Sequence, residues 1–182
     1  MNSDKARLLN AYLVASARAG SRQAFERLAA NWHPRLLAHA VRLTGERETA
    51  RDAVQVAWGE IVRGLGGLRD EQAFAAWAYR IVTRSCAGEI KGKVRRRALA
   101  AAVKREPMER CTEPVEPSEG DALRRAIRAL PAGERAAIAL YHFEEMSVAQ
   151  TAVALNVPVG TAKTRLMNAR RKLRKLLEGE MQ

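Results

Sequence analysis

A segment rich in proline and glutamate near the middle of the chain limits the fold more than any other feature. Residues 106–120 read EPMERCTEPVEPSEG and contain three prolines, five glutamates and one arginine. Proline inside a helix removes a backbone hydrogen bond, and this segment has no apolar face to bury. We interpret it as an extended, flexible acidic linker, so the chain is expected to form one domain before it and another after it.

The sequence before the linker predicts amphipathic helices. Apolar residues recur with a period of 3.6 residues in three segments, which are Phe25 to Leu43, Val54 to Leu65 and Phe74 to Cys86. Aromatic residues make up only 5% of the chain, whereas Ala, Leu, Arg and Glu are abundant, a composition that favours helix over strand. The fold class is therefore predicted to be all-α, with two small helical domains.

Some individual side chains within these segments are expected to anchor the core. Trp32, Trp58 and Trp77 all fall on the predicted inner faces, where tryptophan usually serves packing. Nearer the N-terminus, Leu8, Tyr12 and Ala15 have helical spacing and are expected to form the apolar side of a further helix. The apolar stretch around them is short and interrupted, so it is interpreted as neither a signal peptide nor a membrane span.

Four shorter helical units follow the linker. The first is stopped by Pro131, and the second extends over 132–143. Ser147 is a suitable N-cap for the third, and Asn156, which tolerates the left-handed conformation, breaks the chain after it. Pro158 suits the first turn of the last helix, which is predicted to extend to about Leu177. Two helices joined by a tight turn, the second of them basic, are typical of a helix-turn-helix.

The formal charge of +12 is concentrated in two runs that contain no acidic residue. Residues 91–97 contain five basic side chains and residues 163–175 contain seven, while the rest of the chain is balanced. A roughly neutral protein with two cationic segments is expected to contact a polyanion at two places, and nucleic acid is the simplest candidate.

The last helix can be divided into two faces. Ala162, Leu166 and Ala169 continue through Leu173 and Leu176 as an inner stripe, so the other side is predicted to contact the major groove. The DNA-contacting candidates are Lys163, Thr164, Arg165, Met167, Asn168 and Arg171. A basic helix can also be an ordinary solvated surface, but cations near a helix N-terminus oppose its dipole and so cost stability unless a ligand binds them.

These patterns together resemble the extracytoplasmic-function sigma factors, members of the sigma-70 family of bacterial RNA polymerase subunits. The stretch from Leu130 to Leu177 is similar to the family's domain for the minus-35 promoter element, notably at Leu130-Pro131, Glu134-Arg135 and residues 158–166. The stretches AFERLAANWHPRLLAHAVRLTGERETARDAVQVAW and FAAWAYRIVTRSCAGEIKGKVRRRA resemble its opening helices and its minus-10 helix. The resemblance covers roughly residues 22–178 and implies a region 2 domain at 1–105, a linker at 106–120 and a region 4 domain at 121–182.

The resemblance implies a protein that binds core RNA polymerase, directs it to promoter DNA and helps to open the duplex, in the cytoplasm and without a cofactor. Asp52 and Gln55 match the family's polymerase-docking positions, and their spacing of three places both on one helix face. The family more often has an acid where this chain has Arg51. An anti-sigma protein is a further implied partner.

The resemblance also implies a second DNA surface, for the minus-10 element. A loop over residues 68–72 would capture a flipped base, and the following helix would hold single-stranded DNA on aromatic and cationic side chains. The minus-10 candidates are Arg69, Gln72, Tyr79, Arg80, Arg84 and Lys91.

Other classes of function have less support. Cys86, Cys111 and the three histidines have no spacing typical of a zinc site or a catalytic group, and clustered carboxylates for a metal-dependent nuclease are absent, so no catalytic or metal-binding residue and no enzyme activity is predicted. A stand-alone DNA-binding regulator with the same helix-turn-helix remains the alternative. The first domain distinguishes the two, because such a regulator needs neither Asp52 and Gln55 nor a helix for single-stranded DNA.

Overall fold

The computed structural model of the protein describes residues 2–103 and 119–180. These residues form eight α-helices with short irregular connections. The helices are α1 (Asn2–Arg18), α2 (Arg22–Thr44), α3 (Arg47–Gly64), α4 (Phe74–Val103), α5 (Glu119–Ala129), α6 (Ala132–Ile138), α7 (Val148–Leu155) and α8 (Val159–Glu180). The all-α prediction is thus confirmed. Most of the predicted linker lies outside the described residues, and its last two positions, Glu119 and Gly120, belong to α5.

The N-terminal half is built from α1 to α4, which pack around aromatic side chains. Trp32 meets the edge of Phe74 with ring centroids 5.3 Å apart and the edge of Tyr79 at 5.9 Å. Its indole N–H donates to Asn10 Oδ1 at 2.6 Å, which satisfies the polar end of this buried ring. The predicted stripes of α2 and α4 form the core, with Leu28, Leu36 and others fully buried.

Local sequence chemistry sets the ends of α2 and α3. Ser21 caps α2 by accepting from the Ala24 amide, and Gly45 ends it in the left-handed conformation with φ 76°. Gly64 lies where α3 meets α4. A Cβ atom at this position would come within 2.9 Å of the Trp77 ring. Only glycine therefore allows this close approach.

Three details of the predicted core are wrong. On α1, Leu13 and Val14 are buried, whereas Leu8 is 71% and Tyr12 67% exposed, so the helix presents a different face from the one expected. Val62 and Leu176, predicted for the inner stripes of α3 and α8, are exposed as well. Trp58 is half-buried at the edge of the core, where its N–H donates to His33 Nδ1 at 3.2 Å and its ring packs edge-on to Phe25.

The C-terminal half, α5 to α8, is packed mainly with small side chains. Ala137, Ile138, Leu166 and Ala169 form a buried cluster with Leu130. Between α6 and α7, residues Ala139–Phe143 form one π-helical turn. The inner face of this half also packs against α2 and α4, and Ala136, Ala139, Leu140, Met146 and Ala154 join the N-terminal core.

Candidate nucleic-acid interface

The helix-turn-helix of α7 and α8 forms as the sequence predicts. Ser147 accepts from the Gln150 amide while the Gln150 side chain accepts from the Ser147 amide, so both make a capping box at the start of α7. Asn156 ends α7 in the left-handed conformation, with φ 53°. Pro158 then precedes α8, and its carbonyl accepts from the Ala162 amide. These local contacts fix the turn that aims α8.

The inner side of α8 is held firmly against α6. Ala162 and Ala169 are fully buried, and Leu166 is nearly so. Beyond this apolar stripe, Lys172 donates to Glu134 Oε1 at 2.7 Å, and the Arg170 guanidinium lies 5.2 Å from the Tyr141 ring centroid. With one side fastened by these contacts, the opposite side of α8 is presented to solvent as a preformed surface.

Five of the six predicted minus-35 residues lie on that outer surface, and Arg165 lies on its flank, against α6. Lys163, Thr164, Met167 and Arg171 are exposed, while Arg165 and Asn168 are half-buried at its margin. Hydrogen bonds within the helix orient some of them: Arg171 donates to Asn168 Oδ1 at 3.0 Å, and Thr164 Oγ1 donates to the Gly160 carbonyl at 3.0 Å. The Arg165 guanidinium packs over Gly133 of α6.

The charge of this surface is not neutralised within the described part of the chain. Over residues 2–103 and 119–180, the cations of Lys163 and Arg171 form no ion pair with a carboxylate. Exposed cations suit DNA phosphates, and their polar and apolar neighbours suit base edges. The arrangement can therefore contact the major groove of DNA without breaking ion pairs of its own.

Five of the six predicted minus-10 residues are accessible. Arg80, Arg84 and Lys91 are exposed along α4, and Arg69 and Gln72 are exposed in the connection before it. Asp70 shapes that connection by accepting from the Gln72 amide at 2.9 Å. Arg84 is engaged in an ion pair with Glu60 of α3, so this surface is partly neutralised.

Tyr79 is the exception, since it is only 1% exposed. Its ring packs against Trp32 and His39, and its hydroxyl donates to Glu144 from the C-terminal half. Burial, reinforced by the Glu144 carboxylate beside the hydroxyl, raises the pKa of Tyr79 above its ordinary value. The expectation that Tyr79 offers an open stacking surface for a base is therefore not met in this arrangement.

The predicted polymerase-docking residues, Asp52 and Gln55, are both exposed on α3. The same side of the helix continues through Gly59, Val62 and Arg63 into a shallow, mainly apolar groove of about 720 Å³ between α2 and α3. Phe25 and Trp58 also line this groove. Asp52 thus marks the polar end of a surface whose other end is apolar.

Two ion-pair contacts between distant parts of the chain were not predicted from the sequence. Glu46 pairs with Lys93 and lies 3.9 Å from Arg97, so it neutralises part of the basic run at residues 91–97. The hydrogen bond from Lys93 is the main cause that lowers the pKa of Glu46. The second contact joins Arg42 to Glu144 at 2.8 Å. The partners lie 47 and 102 positions apart in the chain, and no local pattern indicates pairs at such separations.

The described residues contain no group of three or more His, Cys, Asp or Glu side chains placed to hold a metal ion. Among the helices over 2–103 and 119–180, none has an apolar stretch of the length that crossing a bilayer requires. Cys86 is buried, and burial raises the pKa of its thiol to about 12. Cys111 lies outside the described residues.

Comparison with known families identifies both halves of the chain. The family described as "Sigma-70 region 2" matches residues 28–96, and the family described as "Sigma-70, region 4" matches residues 120–173. The two matches together span about two thirds of the sequence and occur in one chain in that order.

Individual relatives agree with this assignment. The chain is 36% identical over 169 residues to the ECF RNA polymerase sigma factor SigM of Mycobacterium tuberculosis (strain Erdman), which covers 92% of this chain and 84% of that protein. It is 28% identical over 178 residues to the RNA polymerase sigma-H factor of Pseudomonas aeruginosa, covering 91% and 92% of the two chains.

Solved structures share the fold. CnrH, in complex with the cytosolic domain of CnrY, matches with a TM-score of 0.69 and 25% identity over 94% of this chain and 98% of that one. RpoE from Bartonella quintana, in complex with the anti-sigma factor NepR, matches with a TM-score of 0.65 and 23% identity, covering 85% of this chain and 96% of that one.

Proposed function

Because this chain belongs to the extracytoplasmic-function sigma factors of the sigma-70 family, we propose that it binds core RNA polymerase and directs promoter-specific initiation of transcription. The observation that carries the proposal is the presence of both sigma regions in one chain, in order. A helix-turn-helix alone would serve a stand-alone regulator equally well. In this function the protein is a non-catalytic subunit that acts in the cytoplasm, where polymerase and promoter DNA are found.

The proposal divides the work between the two halves of the chain. Residues 1–105 form the polymerase-binding and minus-10 domain, 106–120 the linker, whose last two residues already belong to α5, and 121–182 the minus-35 domain. On α8, Lys163, Arg165 and Arg171 provide contacts to phosphates or guanine, while Thr164, Met167 and Asn168 read neighbouring bases. The exposure of this face, with its inner side fixed to α6, supports the assignment.

Single-stranded DNA at the minus-10 element is assigned to Arg69, Gln72, Arg80, Arg84 and Lys91. Tyr79 is left out of this assignment because its ring is packed in the core of the N-terminal half. The support is a cationic track along one exposed side of α4, which suits a phosphate backbone. Asp52 and Gln55 are assigned to core polymerase because both are exposed beside the apolar groove of α3.

An anti-sigma protein is proposed as the negative regulator. The solved relative from B. quintana is a complex with an anti-sigma factor, and the CnrH structure contains the cytosolic domain of CnrY. This support comes from those proteins alone.

The experiment that tests the function is transcription by core polymerase with and without the purified protein, on pooled genomic fragments. We expect new transcripts whose start sites share two upstream elements. A Lys163→Ala/Arg171→Ala variant should still bind core but lose the upstream element, and Arg125→Ala, which removes a cation from α5, serves as a control. Binding to duplex DNA without any stimulation of polymerase would instead support a stand-alone regulator.

A further inference from the structure

The connection between α3 and α4 is buried at its ends and exposed in the middle. Leu65 and Leu68 belong to the core of the N-terminal half. Residues 68–72, the recognition loop, then carry Arg69 and Gln72, both exposed, which the proposed function assigns to the minus-10 element. The position of this loop therefore decides where those two side chains meet DNA.

Glu71, in the middle of the recognition loop, reaches another helix. It is half-buried, and its Oε1 accepts from Nη1 of Arg18 in the last turn of α1. The two residues lie 53 positions apart in the chain. Within the loop, Asp70 accepts from the amides of Gln72 and Ala73. Those internal bonds set the shape of the turn, whereas the ion pair with Arg18 ties its middle to α1.

Helix α1 is a firm support for this contact. Val14 is fully buried in the core, and Asn10 accepts from the Trp32 indole at 2.6 Å. Arg18 itself is only 28% exposed, and among the described residues its buried Nε has no hydrogen-bond partner. A guanidinium in that position has lost part of its hydration, so the hydrogen bond to Glu71 is costly to lose.

Two roles for Arg18 can be compared. A contact to a DNA phosphate requires an accessible cation, but this guanidinium is mostly covered and is already paired with Glu71. A role in holding the recognition loop requires only the contact that is present. Helix α1 precedes the segment matched by the region 2 family, so that match assigns it no part in promoter recognition.

We propose that the Arg18–Glu71 ion pair is a brace through which α1 positions the recognition loop, and that Arg18 is thereby a positioning residue for base selection at the minus-10 element. The inference rests on the proposed function, which assigns this loop to that element. Without the brace the loop stays attached at the buried Leu68 and Phe74, but its middle moves more freely. Bases that fit the loop poorly are then rejected less strongly.

Transcription with core polymerase tests the brace on a promoter found with the wild-type protein, with its downstream element randomised and each template barcoded. Sequencing the RNA gives the preference for each base. Arg18→Gln and Glu71→Gln should each reduce the preference for the favoured base by roughly two- to fivefold, the effect of losing a partly exposed ion pair. The double variant should show no further loss, because both changes remove the same contact.

Arg22→Gln is the matched control. It removes a cation four positions from Arg18 that pairs with Glu26 on the exposed side of α2, and it should leave the base preference as in wild type. Arg18→Lys keeps the charge and should retain most of the preference. An Arg18→Gln protein that transcribes all templates equally weakly, with its base preference intact, would show a phosphate contact and overturn the inference.

Amide hydrogen exchange of the free protein measures the loop without DNA or polymerase. The Gln72 and Ala73 amides, which donate to Asp70, should exchange a few-fold faster in Arg18→Gln, while that of Gly45 at the end of α2 should not change. Unchanged exchange in the loop, or a wild-type base preference in Arg18→Gln, would overturn the inference alone. A wild-type protein that does not stimulate polymerase would overturn the proposed function, and the inference with it.

Discussion

The two halves of the molecule reach stability with different side chains. The N-terminal helices pack around Trp32, Phe74 and Tyr79, whose rings meet edge to face. The C-terminal helix-turn-helix has small residues at fully buried positions, including Ala162 and Ala169. Truncating a large buried ring leaves a cavity. Alanine contacts let two helices approach closely, so a larger side chain does not fit between them. The halves should therefore respond to opposite kinds of substitution.

Their DNA-facing surfaces differ as well. Lys163 and Arg171 on α8 form no ion pair within the described residues, while Arg84 on α4 is paired with Glu60 and Tyr79 is covered. Under the proposed function, the α8 face needs no exchange of ion pairs to contact duplex DNA, whereas Arg84 on α4 must first leave Glu60.

The largest expected effect is truncation in the aromatic core. Phe74→Ala removes a fully buried ring between Trp32 and Trp77 and should lower the free energy of unfolding by about 3–5 kcal/mol. Urea denaturation followed by tryptophan fluorescence reports this half, which contains all three tryptophans. Phe25→Ala, at the half-buried edge, is the control and should cost clearly less. Equal losses for both variants would contradict the description of this core.

Overpacking is the corresponding change in the C-terminal half. Ala162→Leu adds volume at a fully buried position of α8 and should cost about 1–3 kcal/mol. Thermal unfolding followed by circular dichroism measures the loss, and Ala149→Leu on the exposed side of α7 provides the control. An unchanged melting temperature for Ala162→Leu would show that the two helices are not tightly packed.

The next effect is a pH dependence that originates in the N-terminal core. His39 is buried and neutral, with its pKa lowered to about 3, so the unfolded chain binds its proton more readily than the folded one. The contribution of this pKa difference to the free energy of unfolding is complete above the pKa of His39 in the unfolded chain. It falls as the pH decreases below that pKa. Between pH 7 and pH 5 the loss should be about 2 kcal/mol, from about 1.36 kcal/mol per pH unit.

A His39→Gln variant separates this contribution from others. It is less stable at pH 7 but should lose less stability between pH 7 and pH 5 than wild type, as measured by urea denaturation at both values. His33→Gln, at an exposed position, should keep the wild-type pH dependence. A His39→Gln protein with an unchanged pH slope would show that this imidazole is not the responsible group.

The smallest effect concerns the ion pair on α4. Glu60→Gln frees Arg84 and should change stability by less than about 1 kcal/mol, because the pair is largely exposed. Binding of a single-stranded oligonucleotide at low salt should nevertheless become a few-fold tighter, measured by fluorescence anisotropy. Glu26→Gln changes the net charge identically on α2, far from α4 in the sequence. If both variants bind equally well, net charge rather than Arg84 is responsible.

Local sequence chemistry accounts for much of the structure. Ser147, Asn156 and Gly45 act through neighbouring backbone groups, so their capping roles could be predicted without tertiary contacts. The outer face of α8 also followed from helical periodicity, because one strongly apolar stripe leaves the opposite side free.

Contacts between distant parts of the chain could not be predicted in this way. Tyr79 is covered by Glu144, which lies 65 positions away, and no period or spacing indicates that pairing. The face of α1 was wrong because Leu8 and Leu13 fit helical stripes almost equally well, and only packing against α2 selects between them. Trp58 lies at the edge of the core, where its N–H donates to His33, a residue 25 positions away that no local spacing indicates as its partner.

In the proposed function, the two halves act together on one promoter through RNA polymerase. Its most direct test is to transcribe pooled genomic fragments with core polymerase plus this protein and to map the start sites by sequencing. We expect new start sites that share an upstream and a downstream element, with the upstream element lost in the Lys163→Ala/Arg171→Ala variant. Start sites identical with and without the protein, despite its binding to duplex DNA, would contradict it.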